Sequence, residues 1–182
     1  MKKAGRTILV FLVLLSLFVL SGCGSLEEAM EKAKTMVPKD WDLVHTEQVQ
    51  ENAVVVFYMR NNDLGAGLFQ KESFGWEWVG SGLGTLVTQP SGLSWRYSDL
   101  GKSKTQFSVF YGLVTNPAIT SVQVKTTFGQ TAKAKIVESN GLKLWLAFID
   151  KPQIPSVDAD IIGYSESGEV LYLFSQPKQG SK

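Results

Sequence analysis

Two pairs of aromatic residues, Trp76 with Trp78 and Trp95 with Tyr97, are each spaced two apart, so on a strand each pair projects from one face as a flat platform. Rigid aromatic faces stack sugar rings or grip a partner's side chains, because they offer large contact area at low entropy cost. The same rings also suit a core, since tryptophan is mostly buried on average. Burial frequencies favour the core, and these four residues are the ligand-binding candidates of the chain.

Other reactive groups are sparse. Asp40 with Asp42 and Asp158 with Asp160 are each two apart, a spacing that could hold calcium or divide acid and base roles. Neither pair lies in an ion loop with alternating oxygen ligands and a glycine, so solvated turns are the expected use. The single histidine, His45, sits in the alternating stretch Asp42–Val49, which reads as an early strand with a surface histidine. With no cysteine beyond residue 23, zinc sites of the usual nitrogen and sulfur kind and a cysteine nucleophile are excluded from the body of the chain. The cluster GSGLG at 80–84 is followed by TLVTQP rather than a helical pattern, so it reads as a loop or bulge and not a phosphate cradle. No catalytic residue, metal site or cofactor is expected, and the protein is read as a non-enzyme.

The lone cysteine has a specific context. Lys2, Lys3 and Arg6 form a basic start, Ile8 to Leu20 is apolar except for Ser16, and Ser21 and Gly22 are small. Charged, apolar, small is the order of an export signal, and the apolar run is shorter than the roughly 20 residues of a spanning helix, so a retained membrane helix is the weaker alternative to cleavage. Leu20, Ser21, Gly22 and Cys23 resemble the lipobox of bacterial lipoproteins, in which the cysteine is lipidated and becomes the mature N-terminus. That resemblance implies a diacylglyceryl group on Cys23 and a protein held on the extracytoplasmic face of the cell membrane. Two buried acyl chains, at roughly 0.8 kcal/mol per methylene, anchor stably where one binds only marginally.

Composition agrees with a folded domain behind this leader. The chain has 182 residues, 44% hydrophobic and 19% charged, enough for one sizeable core or two small ones. Loss of Lys2, Lys3 and Arg6 leaves 15 basic against 17 acidic side chains, a balance that gives no basic footprint for nucleic acid. One cysteine allows no internal disulfide, so an exported domain of this kind rests on its core alone.

The elements follow from periodicity and punctuation. Ser25 and Glu28 have capping-box spacing, and apolar residues recur at intervals of three and four from Leu26 to Val37, stopped by Pro38: a short helix. Ala53–Met59 is apolar on both faces, as in a central strand, and Leu64–Glu72 and Phe74–Val79 continue a meander. Farther on, strands are expected at 106–114, 119–126, 131–138, 142–149, 161–165 and 170–174, with Asn140-Gly141 as the strongest hairpin turn. Within 131–138, Ala132, Ala134 and Ile136 point inward while Lys133 and Lys135 face water. The fold class is therefore mainly β: antiparallel sheets, a β-sandwich in the C-terminal half and one short N-terminal helix. The expected organisation is a signal peptide (1–22), a lipid-anchored tether with the helix (23–40), a β-meander subdomain (41–98) and an antiparallel sandwich (104–176), the last two open to forming one domain.

The strings HTEQVQENAVVVFYMRN, GWEWVGSG, SWRYSDL, FYGLVTNPAI and DIIGYSESGEVLY resemble a group of uncharacterised envelope-directed proteins from Bacillus-like bacteria. That resemblance implies a Gram-positive envelope and carries no activity. The expected function is a lipid-anchored binding or interaction module, with the membrane as one partner and an envelope protein or glycan as another. Binding of cell-wall carbohydrate through Trp76, Trp78, Trp95 and Tyr97 is the alternative, and a hydrolase ranks third.

Overall fold

The computed structural model describes residues 24–36, 41–60, 63–82, 92–101, 106–149 and 159–175. The leader 1–22, Cys23, Asp40, Gly84 and Asp158 lie outside the described residues.

Strand-forming residues dominate, and they assemble three antiparallel sheets of four strands each. In the first, β1 (Asp42–Gln50), β2 (Ala53–Arg60), β3 (Asp63–Glu72) and β4 (Gly75–Gly82) follow one another as a meander. The second contains β5 (Arg96–Leu100), β6 (Phe107–Leu113), β9 (Lys135–Ser139) and β10 (Leu142–Ile149), in the order β5-β6-β10-β9. The third contains β7 (Ser121–Thr126), β8 (Thr131–Lys133), β11 (Ala159–Tyr164) and β12 (Val170–Phe174), in the order β12-β11-β7-β8. One short helix, α1 (Leu26–Met36), precedes them among the described residues.

The sheets stack because their apolar faces match. Val55, Phe57, Leu64 and Leu68 of the meander meet Val109, Tyr111, Leu144 and Leu146 of the middle sheet. The opposite face of the middle sheet, with Phe110, Trp145, Ala147 and Ile149, meets Val122, Val124, Ile161 and Tyr172 of the third sheet. On the outer face of the meander, Leu26, Ala29, Met30 and Ala33 of α1 cover Val54, Val56, Tyr58 and Phe69. The order of layers is helix, sheet, sheet, sheet, and the middle and third sheets form the C-terminal sandwich.

Two sequence expectations change. Residues 131–138, read as one strand, are two: the chain leaves the third sheet after Lys133, the Ala134 amide donates to the Val122 carbonyl at 2.9 Å, and Lys135 enters the middle sheet. Side-chain alternation continues through the switch, with Ala134 buried and Lys133 and Lys135 exposed, so the break leaves no mark in the pattern. Phe74, read as the first residue of a strand, instead stands in the β3–β4 turn with Gly75 opening β4. Elsewhere β5 pairs with β6, which places residues 96–100 in the sheet of the C-terminal half while Leu100 packs against the meander. The hairpin at Asn140-Gly141 has φ values of 52° and 75°, the left-handed pair a two-residue I′ turn requires.

Because β10 is buried on both faces, its neighbours in sequence should be equally intolerant. Leu144→Ala, facing the meander, should cost about 2–5 kcal/mol, and Trp145→Ala, facing the third sheet, about 3–5 kcal/mol. Thr46→Ala on the exposed face of β1 should stay within about 0.5 kcal/mol. Urea unfolding midpoints of the three variants check the layering, since a two-layer arrangement would spare one of the β10 positions.

Candidate functional site

The segment from Gly24 to Glu28 is fixed to the fold. The Ser25 amide donates to Glu28 Oε2 at 3.1 Å and the Glu28 amide donates to Ser25 Oγ at 3.2 Å, a complete capping box at the start of α1. Glu27 and Glu28 in the first turn also complement the helix dipole. One residue earlier, Gly24 forms a parallel β-bridge with Gly75 at the start of β4. The bridge depends on glycine: Gly75 has φ +122°, and a Cβ there would lie 2.8 Å from the Gly24 nitrogen. Gly24, the residue that follows Cys23 in the chain, is thereby stitched to the β3–β4 turn, whose Phe74 is 85% exposed.

The sequence alone does not single out Phe74 as a site residue. The signal lay in the flanking Ser73 and Gly75, which favour a turn at the position where alternation alone extends a strand.

The four candidate aromatics pair as their spacing implies, but each presses most of its surface on a core. Trp76 and Trp78 share the face covered by α1, and the Trp78 ring meets Phe69 edge-on at 4.9 Å. Trp95 and Tyr97 lie against the core between the middle and third sheets, 4.7 Å from Phe174 and 4.8 Å from Phe110 respectively. The Tyr97 hydroxyl also donates to Asp99 and lies 3.0 Å from Ser108 Oγ. None of the four is presented to solvent as an open platform.

The ionisable candidates are dispersed. Asp42 and His45 stand on β1 of the meander, while Asp160 stands on β11, with the middle sheet between them. His45 Nε2 lies 2.9 Å from Glu47, which Lys135 of β9 also reaches at 2.8 Å. Burial raises the Glu47 pKa, but the hydrogen bonds and charges of Lys135 and His45 outweigh it and hold the carboxyl below its ordinary 4.5. Together with Asn140 Nδ2, which donates to the Leu43 carbonyl at 3.1 Å, this cluster closes the edge of β1 against β9. Its place is a seam between sheets. Among the described residues no group of three or more His, Cys, Asp and Glu side chains is gathered as for a metal ion.

Arg96, 4% exposed, faces the meander from β5; its Nη2 lies 3.4 Å from Asp63, and its Nε has no hydrogen-bond partner among the described residues. Ser98 Oγ and the Tyr111 hydroxyl are paired beside it at 3.2 Å. Burial pushes the Tyr111 pKa up against the Ser98 hydrogen bond and the Arg96 charge.

No family model, curated protein or solved structure matches this chain.

Two outcomes test these arrangements. Gly75→Ala forces a side chain into a left-handed conformation and against Gly24, and should cost about 1–3 kcal/mol in urea unfolding. The lowered pKa of Glu47 means its ion pair stabilises the fold above pH 4.5 and that this contribution disappears as pH falls through the lowered value. Lys135→Met should therefore lower the melting temperature at neutral pH and leave it nearly unchanged once Glu47 is protonated, as a pH series of thermal melts would show.

Proposed function

We propose that this protein is a lipid-anchored lipoprotein, exported through residues 1–22, attached to the extracytoplasmic face of the cell membrane through a diacylglyceryl group on Cys23, and acting there as a binding module. The observation that carries the reading is the start of the fold: Gly24 is bridged to Gly75 and the capping box begins at Ser25, so a lipidated Cys23 would join the domain with no spacer. Two acyl chains at that point hold the domain at the surface without a spanning segment. Among the described residues no helix is long and apolar enough to cross a membrane.

For the partner, an envelope protein fits better than a glycan. The four aromatic candidates press most of their surface on cores, whereas the edge strand β12 offers Val170 and Leu173, 52% and 61% exposed. An apolar edge strand is the kind of surface that another chain covers, by side-chain contact and by strand pairing.

Mass spectrometry of the protein extracted from membranes should find a mature chain that begins at a lipid-modified Cys23. Cys23→Ser should remove the modification and shift the protein out of the detergent-rich phase in phase partitioning. An unmodified Cys23 in the wild-type protein, or unchanged partitioning of the variant, would overturn the reading. Leu173→Asp should abolish crosslinks from the anchored protein to its neighbour while leaving anchoring intact.

A further inference from the structure

We infer that Phe74 is a second, non-covalent membrane contact, which dips into the bilayer interface beside the lipid on Cys23 and fixes how the domain stands on the surface. The inference rests on the lipid-anchor reading and adds a site that the lipobox does not imply.

Three observations and the distance they imply converge on this turn. Phe74 is 85% exposed, more than any other large apolar side chain among the described residues. It stands at the tip of the β3–β4 turn and not within a strand face, so no neighbouring strand can cover it by extending the sheet. Its neighbour Gly75 is bridged to Gly24, the residue after Cys23. Taking about 3.8 Å between linked Cα atoms and about 5 Å across the bridge, Phe74 lies within roughly 13 Å of Cys23 along the shortest route. The polar zone of one bilayer leaflet is about 5–8 Å thick, so a lipid on Cys23 leaves Phe74 within reach of the interface where aromatic rings settle.

Tethering makes one residue sufficient. A lone exposed phenylalanine cannot hold a free protein on a membrane, because it must offset the loss of translational freedom. Once the acyl chains have removed that cost, insertion of Phe74 is an intramolecular event at high effective concentration, and its transfer energy acts on orientation alone. Local charge indicates which lipids are involved. Glu27, Glu28, Glu51 and Glu72 lie on the helix start and the two adjacent turns, against Lys71 on the same end of the meander. The contact is therefore apolar in origin and is not strengthened by anionic lipid.

The test uses the full anchored chain in phosphatidylcholine vesicles that carry spin-labelled acyl chains. Because Cys23 is the only natural cysteine, a lipidated wild-type protein takes no thiol-reactive dye. Labelling of the wild type would refute the anchor itself, independently of Phe74. In Phe74→Cys, an environment-sensitive dye should be quenched severalfold more by the spin-labelled lipid than the same dye in Glu166→Cys, on the exposed β11–β12 turn. Equal quenching at the two sites overturns the inference, and so does a dye at residue 74 that is shielded from aqueous iodide and from the lipid alike, which would place a protein there. As a second measurement, Phe74→Ser should lower the anisotropy of a dye at Glu166→Cys on the vesicle-bound protein by freeing the domain to swivel; an unchanged value also overturns it. Replacing part of the phosphatidylcholine with phosphatidylglycerol should leave the quenching at residue 74 unchanged or reduce it, and an increase would refute the apolar origin.

Discussion

Burial of β6 and β10 on both faces is the constraint from which the rest of this structure follows. A strand covered on both sides has no position at which a polar side chain meets water, so both parities of LKLWLAFI are apolar apart from Lys143 at its outer end. The polar groups that do enter this sheet need partners within it. Trp145 Nε1 donates to the Ser94 carbonyl at 2.8 Å, and Gly112, paired with Trp145 across the sheet, makes that possible. A Cβ at Gly112 would lie 1.9 Å from the same carbonyl oxygen. One glycine therefore allows the largest side chain of the middle sheet to be buried with its hydrogen bond made, and an unmade one would cost about 1–3 kcal/mol.

Stacking three sheets also solves a problem that the lack of disulfides creates. With a single cysteine in 182 residues no internal disulfide can form, and the fold gains its stability from buried apolar area. A middle sheet contributes two buried faces for one set of backbone hydrogen bonds. The outer sheets are each left with one face toward solvent or toward a partner. The meander covers its outer face with α1, whose Leu26, Ala29, Met30 and Ala33 meet Tyr58, Phe69 and the two tryptophans of β4. The third sheet leaves Val170 and Leu173 of its edge strand exposed. The two outer layers thus differ in kind, one sealed by α1 and one open.

What could be read from the sequence was local. The capping box is a matter of two residues three apart, the Asn140-Gly141 turn one of two adjacent residues, and both occur as their spacing implies. Two-sided burial of β2 was legible too, because AVVVFYM has no polar face. The switch of the chain between sheets at Ala134 was hidden, since inward and outward positions keep the same parity in both sheets and only the partner strands change. Aromatic spacing correctly places Trp76 and Trp78 on one face of β4, but says nothing of what lies over it, and the cover is a helix forty residues earlier in the chain. Phe74 is obscured for the opposite reason: alternation extends the strand through it, while Ser73 and Gly75 bend the backbone there.

The joint at Gly24 would have a mechanical consequence if Cys23 carries the proposed lipid. A lipoprotein whose domain hangs on a long flexible tether samples all orientations and presents every face equally. Here the residue after Cys23 is bridged to β4 and the next two begin a capped helix, so a lipid on Cys23 would act on the rigid stack through a short joint. Orientation is then set by the geometry of one corner of the meander. With sheets packed about 10 Å apart, the open edge strand β12 belongs to a layer roughly 20 Å from the layer that carries this corner. If Cys23 carries the proposed lipid, an attachment in the sealed layer and an exposed apolar edge in the open one would divide the molecule into a part that faces the membrane and a part left for a partner.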